Sequence, residues 1–190
     1  MNRRNAIKSG VFLLCLLPLA RLTLLAWREE LGANPIEFIT HSTGTWALAM
    51  LLLTLAATPL RLFGWPHAMG WRRMLGLFAF FYACLHFLTY LWLDQFFDWE
   101  SMVKDVAKRP FVTLGFSAFV LLIPLAATST RAMMRRLGPW WQRLHRLVYP
   151  AAILGVLHYA WLVKKDLTQP LIYGTVLALL LAVRLLPLRR

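Results

Sequence analysis

The sequence predicts an all-α fold: one polytopic membrane bundle of six transmembrane helices with both termini in the cytoplasm. Three observations predict it. Apolar runs recur at roughly 10–27, 44–63, 74–93, 111–130, 147–163 and 170–187, each near the ~20 residues that cross a ~30 Å hydrocarbon core. Lys and Arg collect in alternate connections between those runs. Little sequence is left outside them, so the 190 residues read as a single domain without linker, repeat or low-complexity tract. Composition agrees. The chain is 59% hydrophobic and 15% charged, with a mean hydropathy of +0.58, whereas a soluble domain averages about half apolar and a quarter charged.

The first run follows MNRRNAIKSG, which has a twin-arginine secretory flavour. Arg21 interrupts it, and LTLLAW then resumes with no small-residue cleavage site, so an uncleaved first helix is expected. Arg3, Arg4 and Lys8 precede this helix. Arg61, Arg72 and Arg73 separate the second and third runs, Arg131, Arg135, Arg136, Arg143 and Arg146 the fourth and fifth, and Arg189 and Arg190 end the chain. The other connections carry acid: Glu29, Glu30 and Glu37, then Asp94, Asp98, Glu100 and Asp105. Positive charge on every second side is the positive-inside pattern, and an even number of spans returns both termini to one side. The net charge of +13 is thus topology and contact with membrane lipid. It is no nucleic-acid footprint. The arginines of the 131–146 connection could also dock a flavin phosphate or an acidic partner, although a topological role accounts for them more simply.

The chemistry-bearing residues are five histidines. His67, in FGWPHAMGW, lies among turn residues and reads as solvated. His41, in ITHSTGTW, sits at the outer lip of the second run, where an interfacial hydrogen bond competes with a contact to a quinone or a haem propionate. His86 lies deep in the third run, and ionisable groups at such depth face the bundle interior and are functional by default. Depth decides which histidines can meet. From Met74, His86 is twelve residues in, about 18 Å, and from His145, His158 is thirteen in, about 20 Å. Both spans run outward, so His86 and His158 face one another in the outer half of the bundle, with His145 near the cytoplasmic surface at the level of Arg72 and Arg73. Ideal helix would turn His145 about 220° from His158. Either Pro150 kinks the segment or the helix begins after His145.

One intramembrane histidine is often polar glue between helices. Two at matching depth point instead to a metal. Zinc or copper would want three or four ligands, and the outer half offers no such cluster. A porphyrin needs two axial imidazoles and an apolar slot, for which Phe80, Phe81, Phe87, Tyr90, Tyr159 and Trp161 are candidates. The sequence has no C-x-x-C-H, so a haem here would be non-covalent, and Cys15 and Cys84 both fall inside runs, implying no disulfide framework. Thr89, Ser117, Thr128 and Thr130 are candidate partners for the ring nitrogens that do not ligate. Arg21 either binds a propionate or snorkels to the interface.

The runs TGTWALAMLLLTLAATPLR, RRMLGLFAFFYACLHFLTYLW, TLGFSAFVLLIPLAATSTRAMMRRLG and WWQRLHRLVYPAAILGVLHYAW resemble the MsrQ family (formerly YedZ), part of the wider ferric-reductase-like transmembrane group. The resemblance covers the second to the sixth run, while the first run and the tail match in character only. It implies one ferric-reductase-like transmembrane domain over 1–190, a multi-pass b-type cytochrome of the bacterial inner membrane. Electrons would come from the quinone pool or a cytoplasmic flavin reductase. They would pass to MsrP, a soluble periplasmic molybdopterin reductase subunit that repairs methionine sulfoxide in oxidised proteins. The resemblance also implies one or two haem b groups, with FMN and quinone as further cofactors, and no substrate chemistry within the chain itself.

By motif, His86 and His158 match the axial pair of the family's outer haem, and His145 the ligand of an inner one. The oxidases of the wider group carry another histidine about fourteen residues before the first, where this chain has Arg72 with Arg73 beside it, and arginine is always protonated and a poor iron ligand. An inner haem would then have one histidine, with arginine on a propionate, or be absent. There is no G-x-G-x-x-G loop for a nicotinamide or flavin dinucleotide. Two other classes stay open: a cytochrome b membrane anchor of another reductase or dehydrogenase, and a small transporter with His86 and His158 in a proton relay, whose usual Gly-broken spans are missing.

Overall fold

The computed structural model describes residues 3–163 and 166–185, with the backbone only for Arg3 and Arg4. Arg189, Arg190 and the end of the sixth expected run lie outside the described residues. Among those described, the regular structure is helical: α1 (Arg3–Trp27), α2 (Pro35–Leu62), α3 (Arg72–Leu88), α4 (Trp99–Lys108), α5 (Pro110–Ala127), α6 (Arg131–Leu137), α7 (Pro139–Leu144), α8 (Val148–Leu162) and α9 (Thr168–Leu185). A 3-10 turn, Pro66–Gly70, precedes α3, a π-helical turn, Thr89–Asp94, extends it, and a second 3-10 turn, His145–Leu147, joins α7 to α8.

Local chemistry explains most of the boundaries. Asn34 accepts a hydrogen bond from the Glu37 amide ahead of Pro35, and Asp98 accepts from Glu100 and Ser101 to start α4. Arg21 does not interrupt α1, because a long side chain on an exposed helix face can reach outward while the backbone stays helical. Pro150 falls in the first turn of α8, where its missing N–H has no partner to lose, so the regular helix begins after His145 and is not kinked there.

Five helices are long and apolar enough to cross a membrane: α1, α2, α3 with its π-turn, α5 and α9. The fifth expected run is helical over only 15 residues as α8. It reaches a full crossing only together with the 3-10 turn and α7 before it, because Gly138 with φ of 50° breaks the chain out of helix ahead of Pro139.

Two antiparallel hairpins form the centre. The start of α2 meets the end of α3, and the start of α5 meets the end of α8, so the hairpins point the same way. α9 packs on α2 and α8, and α1 lies along α2 and α3. The shared core holds Leu55, Tyr82 and Ala152 at 0–1% exposure, with Cys15 and Leu177 reaching in from α1 and α9. Small residues let the backbones approach: the nearest atom to a side chain grafted on Gly76 of α3 would be the Thr54 methyl of α2, at 3.5 Å. Tyr82 donates a 2.7 Å hydrogen bond to the Cys15 carbonyl and so pins α1 to α3. Tyr82→Phe is expected to cost about 0.6–1 kcal/mol, read as a drop in detergent melting temperature of roughly 2 °C. Tyr82→Leu, which also leaves a void, should cost more.

Candidate functional site

Beyond that core, toward the end carrying the acidic loops, the two hairpins enclose a cavity of about 590 Å³. His86 at the end of α3 and His158 near the end of α8 face each other across it, ring centroids 6.0 Å apart and planes at 70°. Each ring is anchored the same way. His86 Nδ1 donates to the Thr40 carbonyl of α2 at 3.0 Å, and His158 Nδ1 donates to the Phe111 carbonyl of α5 at 2.7 Å. A carbonyl can only accept, so Nδ1 carries a proton, and in the neutral ring the Nε2 lone pair is then free. Neither Nε2 has a hydrogen-bond partner among the described residues, and no buried polar atom there is orphaned, so both nitrogens open onto the cavity.

Two glycines make room for this. A side chain at Gly44 would meet His86 at 3.0 Å, and one at Gly115 would meet His158 Nδ1 at 2.8 Å and Cε1 at 2.9 Å. Each glycine stands four residues after the carbonyl that its histidine uses, on the same helical face. Neither glycine had stood out in the sequence. The signal was present in the spacing, since Gly44 lies 42 residues before His86 and Gly115 lies 43 before His158.

The remaining walls are aromatic and aliphatic. Of the expected slot residues, Phe87, Tyr90 and Tyr159 line the cavity, joined by Phe111, Phe116 and Phe119. Phe80 stacks on Phe119 from behind, Phe81 faces a different groove, and Trp161 is exposed. His41 lines the mouth and is exposed. A polar cluster closes the same mouth: Arg109 Nε pairs with buried Asp105 at 3.1 Å, and Gln95 and Tyr90 donate to Asp105 Oδ2 at 3.3 and 3.5 Å.

The other expected site residues lie elsewhere. His145 stacks on Trp141 at 3.9 Å, and its Nε2 is 3.0 Å from Thr128 Oγ1. That hydroxyl already donates to the Pro124 carbonyl at 2.6 Å, so it accepts from His145. Arg72 is half-buried at the start of α3, while Arg73 faces a separate groove. Arg21 is exposed on α1, outside the cavity lining. His67 is exposed, as expected. The ring nitrogens do not use Ser117, Thr128 or Thr130 at the cavity, and Thr89 touches only the His86 carbonyl and Thr40 Oγ1, because the glycine-cleared carbonyls are nearer.

Two opposed imidazoles, held by backbone carbonyls over an apolar cavity and with no cluster of three or more His, Cys, Asp or Glu among the described residues, form the candidate site of a helical membrane protein. The family model described as "Ferric reductase like transmembrane component" matches residues 43–156. Curated relatives carry the name protein-methionine-sulfoxide reductase heme-binding subunit MsrQ. One from Herminiimonas arsenicoxydans is 62% identical over 94% of this chain and 84% of its own length. One from Rhodospirillum rubrum is 57% identical over 98% and 90%, and one from Xanthomonas campestris is 49% identical over 94% and 85%. No solved structure matches. The chain belongs to the ferric-reductase-like transmembrane family, and within it to the MsrQ family.

The two glycines yield a graded prediction. Gly115→Ala should unseat His158 and break the Phe111 bond, whereas Gly44→Ala, with more room, should shift His86 only slightly. Nitrogen-15 NMR of histidine-labelled protein checks this through the loss or survival of the Nδ1–H tautomer signal.

Proposed function

We propose that this chain is a haem b electron-transfer subunit of a methionine sulfoxide reductase system in the bacterial inner membrane, with its acidic loops facing the periplasm. The observation that carries the reading is the pair of opposed imidazoles that line one cavity, each with its Nδ1 tied to a backbone carbonyl. The ring centroids of His86 and His158 stand 6.0 Å apart, a separation at which both side chains would hold one haem iron between them. The roughly 590 Å³ of space and its aromatic walls suit a flat apolar group. A bound haem supplies a one-electron relay.

The chain's own residues do the rest. The Thr40 and Phe111 carbonyls hold each ring in its orientation and raise its basicity through the Nδ1–H bond. Phe87, Phe116 and Phe119 exclude water from the ring faces. Arg109, kept in place by Asp105, and His41 at the mouth are the groups available to propionates. The chain has no chemistry for a substrate of its own, so electrons leave to a periplasmic molybdopterin partner, MsrP, and arrive from the quinone pool or a cytoplasmic flavin reductase, with FMN as a candidate carrier. A single haem accounts for the described geometry, because the His145 Nε2 is already engaged by Thr128.

The test is a dithionite-reduced minus oxidised spectrum of the purified protein, with haem per chain. His86→Ala and His158→Ala are each expected to abolish a b-type spectrum, while His145→Ala retains most of it. Unchanged haem in either of the first two variants overturns the reading. Loss of half the haem in the third establishes an inner site.

A further inference from the structure

A second cavity, about 530 Å³, lies away from the histidines, between the first halves of α1 and α3. Its walls repeat one pattern on two helices. Along α1, Lys8, Phe12 and Leu16 follow at one-turn intervals, and along α3, Arg73, Leu77 and Phe81 do the same. Phe12 packs on Phe78 at a ring distance of 5.1 Å, and further along both helices Tyr82 reaches Cys15, so α1 and α3 run the same way and both cations lie at the same end. Eight residues of helix make the trough beyond them about 12 Å long.

No acidic side chain lines this groove, and among the described residues neither Lys8 nor Arg73 makes an ion pair or a side-chain hydrogen bond. Phe12, Leu77 and Phe81 are 46%, 37% and 37% exposed, a face that in a membrane meets lipid. We infer that this groove binds an anionic phospholipid, its phosphodiester between Lys8 and Arg73 and one acyl chain laid along Phe12, Leu77 and Phe81. Charge complementarity selects that occupant. A zwitterionic lipid brings its own ammonium against two cations, free phosphate leaves the apolar trough unfilled, and a quinone has no negative charge for either side chain. Basic pockets between helices at the cytoplasmic surface are suited to such headgroups. The bound lipid would bridge α1 to the bundle, which among the described residues this helix meets chiefly along α2 and α3.

Native mass spectrometry of the full-length protein in detergent tests this, with phosphatidylglycerol and phosphatidylcholine added in turn. Wild type should retain phosphatidylglycerol about tenfold better than phosphatidylcholine, and the preference should vanish in Lys8→Gln/Arg73→Gln. Leu77→Trp keeps both cations but fills the trough, so it should weaken phosphatidylglycerol binding while millimolar inorganic phosphate fails to compete in wild type. Equal retention of the two lipids by wild type, or a preference that survives in the double variant, overturns the site. Competition by phosphate together with a neutral Leu77→Trp makes it a simple anion site. Displacement of phosphatidylglycerol by ubiquinone makes it a donor site. If removing two cytoplasmic charges disturbs insertion, Leu77→Trp alone decides, since it leaves the topology signal intact. None of these outcomes depends on haem content.

Discussion

The site rests on one interaction made twice: an imidazole N–H donated to a helical carbonyl beside a glycine. In water such a bond contributes little, but inside a bundle the alternative is an imidazole with no partner on one side. The carbonyls of Thr40 and Phe111 each lie four residues before a glycine, so the histidine ring can lie flat on the helix where a side chain would otherwise stand. Orientation and proton position follow together. With Nδ1 occupied, Nε2 has one direction to face, and both Nε2 atoms face the same cavity. A histidine pair fixed by backbone groups moves less than one fixed by hydroxyl rotors, which suits the redox group proposed for this cavity.

The same interaction recurs at matching places in the two hairpins. Gly44 and Gly115, His86 and His158, and the LAAT segments at 55–58 and 125–128 occupy matching places in two hairpins that point the same way. The sequence read as free of repeats because the resemblance is confined to a few positions spaced about 70 residues apart, and the intervening lipid-facing residues need only be apolar. Depth was legible: counting 1.5 Å per residue placed His86 and His158 level, and their rings meet. Helix existence was legible too, since hydrophobic length is a strong constraint in a bilayer. What the residues did not disclose was how the rings are held, because glycine and a main-chain carbonyl carry no side-chain signature. Helix ends were also blurred. α2 begins nine residues before the apolar run at 44, where Asn34 and Pro35 start it in a polar segment.

At the other end of the bundle the two hairpins diverge. The position matching His145 in the first hairpin is Arg72, whose guanidinium is always protonated and has no lone pair to offer a metal. A site with two opposed imidazoles therefore forms at one level only. His145 is instead absorbed into a local knot, stacked on Trp141 while Trp141 Nε1 donates to the Thr128 carbonyl.

The two stretches also differ in length by one residue, and the 3-10 turn at His145–Leu147 offsets the difference. Arg72 and His86 are fourteen residues apart on continuous helix, a rise of about 21 Å. His145 and His158 are thirteen apart, but three of those steps belong to the 3-10 turn at about 2 Å each and ten to α-helix at 1.5 Å, which again gives about 21 Å. The tighter turn thus keeps His158 level with His86 although the stretch from His145 is one residue shorter than that from Arg72. Rotation is only partly restored. Three steps near 120° in place of 100° recover roughly 60° of the deficit, and His145 is left turned toward Thr128 and away from the line joining the hairpins. The two imidazoles therefore meet at one level, and the one-residue difference in spacing is felt only at the other.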